Sequence, residues 1–426
     1  MKNYDTIIVG AGASGMAAAL ACGQKGQKVL LIDKLSQMGK KILATGNGKC
    51  NLTNRKQQPE FYRSENDECV QAVLRQFGFP EAMELFHELG IFTREQNGYI
   101  YPYSEQASCV REAFETEILS RKEITFWPET VVSHAKAPGL GFGICDRGKN
   151  THNRFLLQTT RGKVEGRSLI VATGGLAGPS FGCDGDGYRL AEELGHRVVI
   201  PPFPALTALT SSAPFLKKIK GVRTKAQISL YLGEEKAGEE KGELQWTDYG
   251  ISGVAVFQLS RFAVAALRKG QTVRLKIDFL PEYTKEETVR LLKKVQKAYP
   301  DRTALSFVQG FFPAKLSPVI LREAKIMPEE KIGNMSENKS EALSNAIKNF
   351  VLRINGYKEY DKAQVTAGGV PLSGLTDQME SRFHPGLFFT GELTDVDGIC
   401  GGYNLQWAFS TGTLAGRAAL ERNLSV

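Results

Sequence analysis

The sequence contains no pair of cysteines spaced as CxxC: its seven, at 22, 50, 69, 109, 145, 183 and 400, are scattered and stand in no register with histidines. A structural zinc site needs such pairs, so no metal is expected, and an odd, dispersed set makes no disulfide framework. A reduced, cytoplasmic setting fits best. Long apolar runs are missing too, none approaching the roughly 20 residues that cross a bilayer. At the N-terminus Thr6-Ile7-Ile8-Val9 stops at Gly10, and no basic segment leads into a longer apolar one, so neither a secretion signal nor a membrane role is expected. The Asn-Leu-Thr sequon at 51–53 is then accidental.

Acidic residues are the scarcer sign, 46 against 54 basic ones, for a net charge of +8. That balance favours anionic partners such as phosphates without choosing one. With 42% hydrophobic and 23% charged residues, the 426-residue chain has a globular composition and the length of two or three domains. A peptide, a collagen and a coiled coil are excluded. Glycine, at 44 residues, exceeds its usual share and marks many places where backbone can turn tightly or approach a ligand.

Residues 6–9 read as a buried strand running into Gly10-Ala11-Gly12-Ala13-Ser14-Gly15, followed by the small-residue helix Met16-Ala17-Ala18-Ala19-Leu20-Ala21, which ends by Gly26. A second strand, 28–32, delivers Asp33 eighteen residues after Gly15. This is a complete dinucleotide-binding βαβ unit. Gly10 permits the turn, Gly12 lets backbone approach a pyrophosphate, and Gly15 allows helix to pack on strand. The helix N-terminus then presents free N–H groups to the anion. Asp33 stands where a carboxylate accepts from both ribose hydroxyls.

A nicotinamide dehydrogenase would continue into another βα unit. Here Lys34 is followed by a stretch of glycine, lysine and asparagine, including Lys40, Thr45-Gly46-Asn47-Gly48 and Cys50-Asn51, a composition suited to wrapping a pyrophosphate and a ribityl chain or, more plainly, to a solvated loop. Residues 155–160 and 163–172 read as a hairpin whose second strand closes in Ala172-Thr173-Gly174-Gly175, the second fingerprint of two-dinucleotide-fold flavoproteins. A third strand, 386–390, ends in Gly391-Glu392, and Gly401-Gly402-Tyr403-Asn404-Leu405 opens an amphipathic helix from about 405 to 421. A helix N-terminus behind two glycines suits the N1–C2=O edge of a flavin, negative when reduced. The three pieces converge on tightly held, non-covalent FAD. The cofactor residues expected are Gly10, Gly12, Ala13, Ser14, Gly15, Asp33, Lys34, Lys40, Thr45, Gly46, Asn47, Gly48, Cys50, Asn51, Ala172, Thr173, Gly174, Gly391, Glu392, Gly401, Gly402, Tyr403, Asn404 and Leu405.

These motifs, with Val365-Thr366-Ala367-Gly368-Gly369-Val370 and the run through Asn51-Leu52-Thr53-Asn54, resemble the FAD-binding family that includes bile-acid-inducible flavoprotein reductases and aminoacetone-oxidase-like proteins. The resemblance implies an α/β fold of the two-dinucleotide Rossmann type with an inserted β-barrel-like substrate domain carrying a small helical subdomain. The residues read alike: 1–197 and 364–426 form the FAD domain, and 198–363 the insertion, with helices at about 281–345. Short strands are expected at 207–209, 226–232, 244–247 and 272–279, as a small barrel or sandwich, with a capping box at Thr284-Lys285-Glu286-Glu287 and more helix at 341–354.

Thr247-Asp248-Tyr249-Gly250-Ile251-Ser252-Gly253-Val254 resembles the family's Thr-His-x-Gly-x-Ser-Gly-Pro, with Asp248 in place of the histidine and Val254 in place of the proline. Asp248 is a candidate acid with a raised pKa, although turn or cap roles are commoner. Tyr403 and Tyr101 are further proton-donor candidates, each more often structural. Lys217, Lys218, Lys220, Arg223 and Lys225 form a basic run that is either a solvated face or an attraction for an acidic group. Cys50 and Cys400 read as packing residues.

The activity expected is NAD(P)H-driven reduction of a carbon–carbon double bond conjugated to a carbonyl, in a bile acid or another enone, with the nicotinamide visiting transiently because no second GxGxxG appears. A flavin amine oxidase using oxygen is the first alternative. An RNA-binding or RNA-modifying flavoprotein is the second, prompted by the charge and weakened by the absence of a recognisable binding module. The partner expected is a small-molecule substrate; the oligomeric state is left open.

Overall fold

The first strand, Lys2–Val9, pairs in parallel with Val29–Ile32 on one side and with Gly162–Val171 on the other, and Val29–Ile32 pairs in parallel with Ile124–Trp127. In this computed structural model, residues 2–138, 154–198 and 200–425 are described, and Cys145 lies outside them. Ile7, Ile8, Leu30, Leu31, Ile170 and Val171 are all fully buried, as a parallel sheet covered on both faces requires. The long strand Gly162–Val171 divides its second edge between two partners. Its first half takes Phe155–Thr159 in antiparallel, which in turn pairs with Val132–Lys136. Its second half takes Leu387–Phe389 in parallel, so a segment from near the chain's end completes a sheet begun at residue 2.

Two helices pack against each other beside this sheet, Ala13–Cys22 and Tyr403–Leu424. Their approach is set by glycine. A Cβ on Gly412 would overlap the Ser14 carbonyl oxygen, and one on Gly416 would lie 2.5 Å from that of Ala18. The last helix is longer at both ends than the expected 405–421 and is buried almost all round.

The chain divides into two compact units, Met1–Phe203 with Val365–Val426, and Pro204–Gln364. The second holds one antiparallel seven-stranded sheet in the order Phe350–Ile354, Val273–Asp278, Arg223–Leu232, Glu235–Trp246, Gly250–Ser252, Leu209–Thr210 and Gly356–Tyr357. The two outermost strands are separated in sequence by Asn355 alone, whose N–H donates to Thr210 O at 3.0 Å. One continuous stretch can form both edges only if the sheet rolls until they meet, which gives a barrel-like body. Trp246, Phe215, Phe279 and Phe350 fill it with tilted and edge-on ring contacts. The expected helix at 341–354 is in fact the helix Glu337–Lys348 followed by the strand Phe350–Ile354, whose alternating burial shows the period of two that a helical reading overlooks.

Thr284 and Glu287 form the expected capping box, opening Lys285–Ala298. The helical segment is tied back by Lys348, whose Nζ lies 2.7 Å from Asp278 Oδ2 and donates to the Leu280 carbonyl at 2.8 Å and to that of Tyr283.

One histidine is built into the core of the first unit. His196, 2% exposed, lies against Phe383 and Phe389, with Nε2 2.7 Å from Ser381 Oγ. Ser381 Oγ already accepts from the Phe383 and His384 N–H groups, so its proton goes to a neutral imidazole. Burial, and secondarily His384, lower the His196 pKa to about 4. Since the unfolded chain titrates near 6.5, stability is full above that pH and falls as pH drops toward 4, at up to about 1.4 kcal/mol per unit. Urea midpoints should therefore decline from pH 7 to pH 5 in the wild type and less steeply in His196→Gln. Equal slopes would assign the loss to other groups.

Candidate cofactor site

The glycine turn after the first strand is held by its own backbone. Gly10 has φ +102°, and a Cβ on Gly15 would overlap the Gly10 carbonyl oxygen. Gly12 differs: its φ of −75° suits any residue, and a Cβ there meets no protein atom within 4 Å. It is also the N-cap of Ala13–Cys22, with no side-chain cap, so the helix N–H groups face that open ground. Asp33 accepts from the N–H of Ala11 at 2.6 Å and of Leu35 at 2.8 Å. Burial pushes its carboxyl up, against the pull of those N–H groups and of Lys34. A carboxylate offers about four acceptor positions, so Asp33 shapes the turn and still has capacity for hydroxyls.

The loop from Gly39 docks on this turn, Gly39 N–H donating to Ala11 O at 2.8 Å. Residues Lys40–Gly48 form short 3-10 turns broken at Thr45, Gly46 and Asn47, the last two left-handed. Thr45 Oγ1 donates to Ile42 O at 2.6 Å, and the Cys50 N–H donates to Thr45 O at 3.0 Å. Cys50 is fully buried and burial raises its thiol to about 11, as befits packing rather than reaction. Two lysines depart from expectation. Lys34 is engaged by the protein's own acids, pairing with Asp184 and with Asp186 at 3.1 Å. Lys40 is exposed, whereas its neighbour Lys41 turns inward to pair with Glu392 at 2.5 Å. Burial opposes the Lys41 ammonium, but Glu392 and Cys183 outweigh it and raise its pKa.

Segments far apart in sequence meet at this loop. Thr53 Oγ1 donates to the buried Gln406 Oε1 at 2.5 Å, and Asn54 Nδ2 donates to Gly401 O at 3.2 Å. The Ala172-Thr173-Gly174 strand end lies against Gly10, whose Cβ would overlap the Ala172 carbonyl oxygen. Gly391 stands against Ser14: a Cβ on it would be 2.7 Å from Ser14 Oγ. Asn404 spends its side chain on the N–H and carbonyl of Gly398, at 2.8 and 2.9 Å, so it braces the turn. The turn ends in Gly402, N-cap of Tyr403–Leu424, which has no side-chain cap.

The open ground at Gly12, the helix terminus there without a side-chain cap and the acceptor Asp33 fit the phosphate and ribose of a dinucleotide, which Gly10, Gly12, Ala13 and Asp33 would hold. The Gly46 loop would stand toward its flavin end, while Gly402 packs on the backbone of Thr53, 2.7 Å from where its Cβ would be. Lys41, Thr366 and Gln406 lie within the segments that carry the family resemblance but are not among the residues expected to hold the cofactor, and Gly412 is not singled out, its signal being the Gly412-x-x-x-Gly416 spacing.

The acid and base candidates separate. Tyr403 is 4% exposed, packed on Phe61 and Tyr62, and burial with Tyr99 beside it lifts its hydroxyl to about 12. Tyr101 is half-buried, its ring 3.8 Å from where a Cβ on Gly46 would be, and burial raises its pKa. In the other unit, Asp248 is exposed and paired with Lys220 at 2.7 Å, which holds its carboxyl below the usual range. It is therefore ionised, contrary to the raised-pKa acid considered from sequence. The basic run is partly neutralised: Lys220 by Asp248 and Arg223 by Glu243. Among the described residues, no helix is long and apolar enough to cross a membrane, and no cluster of three or more His, Cys, Asp or Glu could hold a metal ion.

Residues 4–418 match the family described as HI0933-like protein Rossmann domain. The chain is 40% identical over 418 residues to the 3-dehydro-bile acid delta(4,6)-reductase of Clostridium scindens, spanning 97% of this chain and 98% of that one. It is 31% identical over 423 residues to the ribosomal RNA dihydrouridine synthase of Haemophilus influenzae, spanning 96% and 97%. A solved 3-ketosteroid delta1-dehydrogenase from Sterolibacterium denitrificans aligns over the whole of both chains with a TM-score of 0.52 at 13% identity, a likeness of fold.

Proposed function

Because the chain belongs to the HI0933-like Rossmann-domain family and is an FAD-dependent oxidoreductase, we propose that it saturates a carbon–carbon double bond conjugated to a carbonyl, with a nicotinamide as transient electron donor. The observation that carries this reading is the full-length, 40% identity to a bile-acid reductase. FAD, when bound, supplies the hydride chemistry. The chain's own residues must bind, orient and supply a proton.

Conjugation matters because adding hydride to the far carbon moves charge onto the carbonyl oxygen, which needs a donor aimed at it. Tyr101 suits that role, since its phenol keeps its proton at neutral pH and stands beside the Gly46 loop. Tyr403 belongs to an aromatic core and serves to seat the last helix.

A second reading, in which the double bond belongs to a uracil in RNA, is favoured by the 31% relative. Dihydrouridine differs from uridine by saturation of a double bond conjugated to a ring carbonyl, so the two readings share a reaction and differ in substrate.

The test is anaerobic spectroscopy of the purified flavoprotein. Bleaching of the visible flavin band by NADH or NADPH, slow recovery in air and fast recovery on adding a 3-keto bile acid with a conjugated double bond would support the first reading. Fast recovery with an unmodified ribosomal RNA transcript alone would install the second. Bleaching by amines only, with prompt reoxidation in air, would overturn both in favour of an oxidase.

A further inference from the structure

We infer that Lys41 is a positioning residue for the cofactor: paired with Glu392, it fixes a carboxylate that, with Thr366, ties together four segments around the expected cofactor site. The inference rests on the FAD reading. Glu392 Oε2 takes the Lys41 ammonium at 2.5 Å, and Oε1 accepts the Thr366 N–H at 3.0 Å. Thr366, itself fully buried, uses Oγ1 to accept the N–H groups of Leu176 and Ala177 at 2.8 and 2.9 Å. The loop after Gly39, the turn after Gly174, the strand Val365–Gly369 and the Gly391-Glu392 corner are thus joined through a single ion pair.

Fit around the pair is close. A Cβ on Gly175 would lie 2.5 Å from Thr366 Oγ1 and 2.9 Å from Glu392 Oε1, so the backbone of the second fingerprint presses directly on it. The side chains are only 27% and 18% exposed. An exposed pair contributes little, but a largely buried carboxylate stripped of its cation leaves an uncompensated charge. It would turn toward water, and that releases Thr366 and the turn it holds. Lys40, the neighbour of Lys41, is exposed.

The experiment measures three quantities on the full chain: the FAD dissociation constant, the apoprotein's thermal midpoint and the reduction potential of the bound flavin. The variants are Lys41→Met, Lys41→Arg, Glu392→Gln and the double Lys41→Met/Glu392→Gln. Lys41→Met is expected to weaken FAD at least about tenfold and, by leaving Glu392 unbalanced, to make the flavin harder to reduce. Lys41→Arg keeps the charge and should bind within about threefold of wild type with its potential unchanged. The double variant should be no worse than the poorer single one, because the two act as a unit.

Additive losses, or a Lys41→Met protein that binds FAD like the wild type, would overturn the inference. So would a fall in thermal midpoint with affinity and potential unmoved. Should Lys41→Met fail to fold, Lys41→Arg decides: folded but about tenfold weaker for FAD, it would exclude a role resting on charge. Wild-type protein that takes up no FAD would overturn the FAD reading and the inference together, an outcome distinct from all of these.

Discussion

Aspartate in place of Gly12 should strip the protein of FAD while leaving it folded. The backbone there, with φ −75° and ψ −171°, is one that aspartate adopts freely, and its Cβ would touch no protein atom within 4 Å. Aspartate is moreover a good N-cap, worth a few tenths of a kcal/mol over glycine at the start of Ala13–Cys22. The apoprotein should therefore keep or slightly gain stability. On the proposed cofactor reading, however, a carboxylate on that helix terminus would stand where the phosphates bind and would repel them. The expected loss is at least about 100-fold in FAD affinity, roughly 2.8 kcal/mol. Gly15→Ala provides the contrast, because its Cβ would overlap the Gly10 carbonyl oxygen and damage the fold itself. Isothermal titration with FAD, beside urea unfolding of the apoproteins, separates the two. A Gly12→Asp protein that binds FAD like the wild type would place the cofactor elsewhere.

At Gly412 the fold is exposed to the smallest change. Alanine in a helix gains about 1 kcal/mol over glycine in propensity. Here its Cβ would overlap the Ser14 carbonyl oxygen, which is backbone and cannot rotate away, so the two helices must separate. Overpacking of this kind costs about 1–3 kcal/mol and sometimes more. Gly412→Ala should thus be destabilised by about 2 kcal/mol despite its better propensity, and Gly412→Leu by more than about 3 kcal/mol. Because Ser14 also meets Gly391, holo-protein formation should fail in step with stability. Urea midpoints of the apoproteins read the effect, and a Gly412→Ala protein more stable than wild type would show that the helices have room to spare.

Local features are legible in the sequence; features that need distant partners are not. The turn from Gly10 to Gly15 and the arrival of Asp33 can be read because the contacts that shape them, Gly15 on the Gly10 carbonyl and Ala11 N–H on Asp33, lie within one βαβ unit. The capping box at Thr284 is local in the same way, its two bonds closing over three residues. By contrast, whether Lys40 or Lys41 faces inward depends on Glu392, 351 residues from Lys41. Asp248 reads as a candidate acid only while Lys220 is unseen beside it, a pairing that the hairpin of Arg223–Leu232 and Glu235–Trp246 between them conceals. The strand Phe350–Ile354 merges into a helix on a sequence reading because Asn349 is too weak a breaker to signal the change of period. Gly412 and Gly416 stand in plain view, but a small residue in a helix reads as neutral until its opposite backbone is known.

The late return of Leu387–Phe389 to the central sheet sets the order in which the chain can fold during synthesis. Strands Lys2–Val9 and Gly162–Val171 can pair early, yet half of one edge stays open, and Ala13–Cys22 lacks its covering helix, until residues 387–424 have left the ribosome. The rolled sheet of Pro204–Gln364 needs nothing beyond its own span and can close first. The nascent nucleotide-binding half therefore spends most of its synthesis with an unpaired parallel edge, the kind of surface on which misassembly begins. Truncation by even the last helix should leave a chain whose inserted unit is native and whose other half depends on chaperones to stay in solution.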